Sequence, residues 1–218
     1  MRALYLTHPQ VQIDPDVPVP QWGLSAIGRT RAEAFAARAL IPAGAALFAS
    51  AEHKAVELAA IIGQRIGSVA RLDREMGEND RSATGFLPPE RFEATADRFF
   101  AHPLESIEGW ERAFDAQARI VAAVTRAMAA AEPAPLVVFC GHGAVGTLLK
   151  CYLGGWAIAR SEDQSRIGDP GGGNGFAFDL EGRRLHCDWT PLEALTAELV
   201  TGSLPLSKGV VSQGPSCE

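Results

Sequence analysis

Short unbroken apolar runs alternate along the chain with stretches in which apolar residues recur every three or four positions. The first pattern marks buried strands and the second marks helices packed on one side. Residues 2–7 (Arg-Ala-Leu-Tyr-Leu-Thr) read as a first strand. The segment 9–21 carries Pro9, Pro15, Pro18 and Pro20 and reads as loop. Ser25 is placed to cap a helix over 26–40, which Pro42 and Gly44 end. A second strand over 45–50 leads into a helix over 52–66, with Val56, Leu58, Ala59, Ile62 and Ile66 on its inner side. Residues 68–72 form a third strand. Strand alternating with helix predicts a parallel sheet covered on both faces.

The middle of the chain departs from this rhythm. Residues 80–85 are polar and turn-like, and 88–101 predict a helix through Phe92, Ala96, Phe99 and Phe100. The stretch of about 80–103 is expected to be an insertion over one end of the sheet, too short for a core of its own. A long helix is predicted over 107–131, striped by Trp110, Phe114, Ile120, Val121, Val124 and Met128. The clearest strand, 136–140, runs through Gly141-His142-Gly143 into a helix over 144–153. Gly171-Gly172-Gly173-Asn174-Gly175 reads as a mobile loop. It precedes a strand, so it is no dinucleotide fingerprint. Residues 176–180 and 184–189 predict a hairpin around 181–183. Residues 1–202 are expected to form one domain and 203–218 a flexible tail. The expected fold class is α/β, a three-layer α/β/α sandwich with a mostly parallel central sheet.

Length and charge narrow the function. At 218 residues the chain can bury a core without disulfides or a structural metal. The net charge is −6, and no basic run appears. Nucleic acid and membrane surfaces are therefore disfavoured partners. The apolar stretch near the N-terminus is too short for a signal sequence, and no stretch has the length of a membrane span. Cys140, Cys151, Cys187 and Cys217 have no metal-like spacing and fit reduced thiols in a cytoplasmic protein.

Position singles out a few residues. His8 follows the first strand, and His142 follows the strongest one between two glycines that let the backbone approach a ligand. Lys54 lies in the first helical turn after the second strand, and Glu78 soon after the third. In an open α/β sheet the carboxyl ends of parallel strands form the rim where ligands bind. His, Lys, Glu and His at that rim suit phosphoryl transfer: a nucleophile, cationic contacts and an acid for the leaving oxygen. The bland alternatives are a loop histidine at His8, a buried-turn histidine at His142 and an ordinary helix-start lysine at Lys54. The acidic cluster Asp73, Glu75, Glu78 and Asp80 could be solvated loop, with Arg81 paired to it. His53, His102 and His186 read as structural or exposed, and Trp22 as loop packing.

From 3 to 189 the sequence resembles the histidine phosphatase superfamily, also called phosphoglycerate mutase-like. Thr7-His8-Pro9 stands at that family's Arg-His-Gly motif, and Leu24-Ser25-Ala26-Ile27-Gly28 at its Leu-[Ser/Thr]-x-x-Gly helix start. The run from Ser50 to Ala59 follows its Ser-x-x-x-Arg-Ala-x-x-Thr-Ala pattern loosely, with Lys54 at the arginine. Met76-Gly77-Glu78 falls at its acid, with Glu75 a rival. Val137 to Gly143 matches its strand-then-His-Gly motif.

The resemblance implies a phosphohistidine at His8, an acid at Glu78, and phosphoryl contacts from His142, Thr7, Lys54, Arg81 and Gly143. Two family arginines are replaced. Thr7 loses the charge, Lys54 keeps it without the bidentate fork, and Arg81 is the candidate replacement. The implied activity is hydrolysis of a small phosphorylated metabolite, with no cofactor and no metal. A mutase, or a non-catalytic domain binding an anion or a protein partner, is the alternative. A metallohydrolase is disfavoured because no ligand spacing supports one. The oligomeric state stays open, and a homodimer is compatible with all of this.

Overall fold

The computed structural model describes residues 1–131 and 133–202 of the chain. The expected tail, 203–218, lies outside them. Among the described residues the strands are β1 (Arg2–Thr7), β2 (Ala46–Ser50), β3 (Arg71–Asp73), β4 (Val137–Gly141), β5 (Asn174–Asp179), β6 (Arg184–Leu185) and β7 (Thr190–Pro191). The helices are α1 (Ala26–Ala37), α2 (His53–Ile66), α3 (Pro89–Ala101), α4 (Ala113–Ala130), α5 (Gly143–Gly154), α6 (Gln164–Ile167) and α7 (Ala197–Thr201). The sheet runs β3-β2-β4-β1-β5-β6, with β7 also on β5. β3, β2, β4 and β1 are mutually parallel, while β5 lies antiparallel to β1. This is the expected α/β/α sandwich.

Alternation along the strands builds two cores. Tyr5, Phe48, Phe139, Phe176 and Phe178 project to one face, against Ile120 and Val124 of α4 and Leu148 and Leu149 of α5. Leu4, Leu6, Leu47, Val138 and Cys140 project to the other, against Phe35 of α1 and Leu58 and Ile62 of α2. The period of two along each strand sends neighbours to opposite faces. β1 and β4 alternate between two apolar faces, and so they read as continuous apolar runs. Ser25 caps α1 as its position implies, its hydroxyl accepting from Gly28 N–H at 3.1 Å.

Four expectations are corrected. Residues 107–131 are not one helix. Ile107–Gly109 forms a separate 3-10 turn in which Glu108 has a positive φ of 52°, and α4 starts at Ala113. Trp110 leaves the helical stripe because its indole donates to Thr84 Oγ1 at 2.8 Å, and Phe114 is exposed. The third strand is Arg71–Asp73, shifted toward the C-terminus. The hairpin closes earlier than expected, with β6 only two residues long. There the Cys187 Sγ accepts the Ala177 N–H at 3.3 Å and displaces the ladder. β5 in turn begins at Asn174, so Asn174 and Gly175 belong to a buried strand and not to a mobile loop. The buried face of α3, with Phe99 and Phe100, joins Trp110 and the α4–α5 core.

Candidate active site

The register of β1 on β4 brings the two histidines together. Thr7 pairs with Gly141, so the next residue on each strand, His8 and His142, leaves the sheet side by side. Their ring centroids are 5.3 Å apart and the rings meet edge to face at 69°. The His8 amide donates to the Gly141 carbonyl at 3.1 Å and extends the ladder one step past the rim. Tyr5 locks the second histidine: its hydroxyl donates to the His142 carbonyl at 3.2 Å and accepts the His142 N–H at 3.1 Å. Gly141 makes room for this clamp, since a Cβ there would lie 2.3 Å from the Tyr5 oxygen. Its missing side chain serves Tyr5, not the ligand approach that the sequence suggested. At Gly143 a Cβ would meet the Gln164 amide nitrogen at 2.2 Å, so this glycine admits Gln164 to the start of α5.

The proton positions follow from the contacts. His8 Nδ1 lies 2.9 Å from the Pro9 carbonyl. A carbonyl can only accept, so Nδ1 carries the proton and Nε2 keeps its lone pair. Burial pushes the His8 imidazole down to about 4. His142 is fully buried; its Nε2 lies 2.8 Å from Ser50 Oγ, and burial again holds it far below the ordinary histidine range. Its Nδ1 is buried with no hydrogen-bond partner among the described residues, which leaves a polar atom unmatched beside His8.

Glu78 is half-buried and stands at the N-terminus of α5. Its carboxylate accepts the Val145 N–H at 3.0 Å and the Ala144 N–H at 3.2 Å. Burial raises its pKa despite these bonds and the Arg81 charge. Glu75, its rival, is exposed in the 3-10 turn Arg74–Met76. The geometry therefore separates the two carboxylates and sets Glu78 on the first turn of the helix that follows His142.

Lys54 is almost fully buried, and a carboxylate absent from the sequence reading meets it. Its Nζ donates to Glu52 Oε2 at 2.5 Å and to the Val19 carbonyl at 3.0 Å. Glu52 Oε1 accepts the Glu78 N–H at 2.8 Å and lies 3.5 Å from His142 Nε2. Burial opposes ionisation of Glu52, but the adjoining His142 ring, the Lys54 charge and bond and the Glu78 amide outweigh it and hold the carboxyl at about 2. The site thus carries an anion supplied by the chain. Only position could have flagged it, since Glu52 comes two residues before Lys54 and two after the last residue of β2.

The remaining expected residues divide. Thr7 is fully buried and turned away from the role of an arginine: its hydroxyl donates to Gln164 Oε1 at 2.7 Å and accepts the Asn174 N–H at 2.9 Å. Arg81 pairs with none of the acidic cluster among the described residues. Its guanidinium lies over the Phe92 ring at 5.1 Å and the Trp110 ring at 5.6 Å, and its charge acts on His8, His142 and Glu78. His53 is exposed beside the Gln21 carbonyl, His102 pairs with Glu105, and His186 with Asp179. A cleft of about 920 Å³ opens against Ser50, Glu52, Glu78 and Arg81. Among the described residues no group of three or more His, Cys, Asp or Glu is arranged to hold a metal ion, and no helix is long and apolar enough to cross a membrane.

Fold and rim together define an α/β/α protein built around a pair of histidines at adjacent strand ends. Residues 7–185 match the histidine phosphatase superfamily (branch 1), and the chain belongs to that family. Solved structures similar to it include a mycobacterial glucosyl-3-phosphoglycerate phosphatase in complex with inorganic phosphate. That structure has 22% identity and a TM-score of 0.70, over 89% of this chain and 99% of that one. A protein of Bacillus stearothermophilus, YhfR, is 17% identical with a TM-score of 0.66, over 85% and 94% of the two chains. The phosphoserine phosphatase of Entamoeba histolytica, in complex with 3-phosphoglyceric acid, is 13% identical with a TM-score of 0.65, over 84% and 93%. At these identities the likeness establishes the fold. Comparison with curated proteins gave no significant match.

Proposed function

We propose that the protein is a phosphomonoester hydrolase that works through a phosphohistidine at His8. The observation that carries this reading is the His8 ring itself, neutral and with Nδ1–H held on the Pro9 carbonyl, so that Nε2 offers a lone pair beside His142. In the first step that lone pair attacks phosphorus and the ester P–O bond breaks. The leaving oxygen takes its electron pair and a proton from Glu78, whose raised pKa suits an acid. In the second step water attacks phosphorus and gives a proton to the Glu78 carboxylate. The N–P bond then breaks and returns its pair to Nε2. Charge on the equatorial oxygens is met by Arg81, by Lys54 (shared with Glu52) and by the unmatched His142 nitrogen. The steps need no cofactor or metal, and the substrate is a soluble phosphate ester, not nucleic acid or a membrane surface.

The test is direct. Protein mixed with substrate and quenched in alkali should carry an 80 Da adduct on His8, since phosphohistidine survives base. Glu78→Gln should lower kcat for alkyl phosphates about a hundredfold and for p-nitrophenyl phosphate by much less, because only a poor leaving group needs the proton. Equal losses for both esters would take the acid role from Glu78.

The pH profile follows from the same groups. Neutral His8 is required, so kcat/KM should fall below an acid limb near pH 4. Protonated Glu78 is required, so an alkaline limb should lie above the ordinary carboxyl range. A steady-state profile over pH 3–9 checks both limbs.

A second reading has one observation in its favour. Thr7 is committed to Gln164 and Asn174, and Lys54 is already paired with Glu52. A domain that binds an anion without turnover would tolerate both. Turnover of any phosphate ester that depends on His8 removes it.

A further inference from the structure

The cleft that reaches Ser50 and Glu52, the two side chains against His142 Nε2, has a built apolar wall. Its lining includes Pro15, Val17, Pro18, Val19 and Pro20 from the proline-rich segment, and Phe86. That segment is pinned and not loose. The Trp22 indole donates to the Asp14 and Val17 carbonyls at 2.9 Å each, Gln12 N–H donates to the Gly23 carbonyl, and Val19 holds Lys54. Phe86 continues the wall by packing on Trp22, with ring centroids 5.9 Å apart.

Two features bear on what this space accepts. At about 920 Å³ it is at the upper end of pockets that enclose drug-sized ligands, far more than a three-carbon ester fills. Its charges also disfavour a second anion, because acidic lining residues outnumber basic ones. Of the three arginines, Arg119 is engaged by Glu111 and by the carbonyls of Glu75, Gly77 and Glu78, Arg81 lies over the Phe92 and Trp110 rings, and Arg74 is exposed.

We infer that the alcohol portion of the substrate is a bulky, ring-sized apolar group with no carboxylate or second phosphate, seated against residues 15–20 and Phe86. The inference rests on the phosphatase reading for the position of the phosphoryl group, but it can be read by binding alone. Calorimetric titration of the full chain with 2-phenylethylphosphonate, ethylphosphonate and 3-phosphoglycerate compares a ring, a small alkyl group and a second anion. The phenylethyl compound should bind about tenfold or more tightly than the ethyl one, the scale expected for burying a ring. 3-Phosphoglycerate should bind most weakly. Phe86→Ala should narrow the phenylethyl-to-ethyl ratio several-fold, and a far-UV spectrum unchanged from wild type would show that the half-buried side chain is not needed for folding. Equal affinities, or tightest binding of 3-phosphoglycerate, would overturn the inference. So would no binding of any of the three while p-nitrophenyl phosphate is still hydrolysed. Absence of both binding and hydrolysis would remove the phosphatase reading as well.

Discussion

His8→Ala is expected to lower the turnover of p-nitrophenyl phosphate at least about a thousandfold, roughly 4 kcal/mol of barrier, with chelator present throughout. The size follows from what the change removes. The lone pair on Nε2 has no substitute in this mechanism: His142 is held at Nε2 by Ser50 and at its backbone by Tyr5, and its unmatched Nδ1 serves the phosphoryl oxygens as a donor. The fold should survive, because His8 is only half-buried and its side-chain bond is to the carbonyl of the next residue. A melting temperature within a few degrees of wild type, together with retained phosphonate binding, would confine the loss to chemistry. Retained turnover in a folded variant would sink the phosphohistidine mechanism outright.

Glu52→Gln is expected to act in two directions at once. Inorganic phosphate should inhibit the variant at least about tenfold more strongly. Two unit charges about 5 Å apart interact by about 3 kcal/mol at an effective dielectric of 20, and the wild-type carboxylate repels any phosphate that approaches His142. Stability should meanwhile fall by about 2–3 kcal/mol at pH 7. The variant leaves Lys54 buried without its counter-charge, though glutamine can still accept its hydrogen bond.

The acid side separates these effects. Glu52 is held at about 2 in the folded chain, below its ordinary 4.5. Its contribution is therefore present above pH 4.5 and lost as pH falls from there toward 2. Urea unfolding at pH 5 and pH 2.5 should show wild type and variant converging at the lower value. A constant gap, with no convergence, would mean that the lost stability does not come from the Glu52 charge. The His8 imidazole adds a slope of its own, between pH 6.5 and about 4, and both chains share it.

The sheet and its histidines were legible because they depend on local pattern. The apolar runs of β1 and β4 announce buried strands, and a histidine one residue beyond each must reach the rim once the strands are parallel. What escaped depends on register and on side chains meeting across the chain. Glu52 looked like a helix-start residue until Lys54 folded back onto it. Thr7 looked like a weakened phosphate ligand until β5 brought Asn174 beside it. Asn174 and Gly175 looked like loop because glycines flank them, yet β1 pairs with Gly175 and β7 with both, and they continue the strand. Trp110 kept helical spacing while a positive φ at Glu108 broke the helix before it. Each miss came from a tertiary partner overriding a local preference.

The Thr7 contacts bear on which side chains the rim can accept. One hydroxyl fixes Gln164 and Asn174, and Asn174 in turn holds Gln164 Oε1 at 2.9 Å, the Asp169 carbonyl at 2.8 Å and the Asp169 N–H at 2.7 Å. An arginine placed at position 7 would strip the acceptor from the Asn174 N–H and drive a guanidinium into a space that is fully closed. Positions 7, 164 and 174 therefore form one structural unit. A charged side chain at position 7 would need changes at 164 and 174 as well, so the absence of an arginine here is built into the packing of the rim.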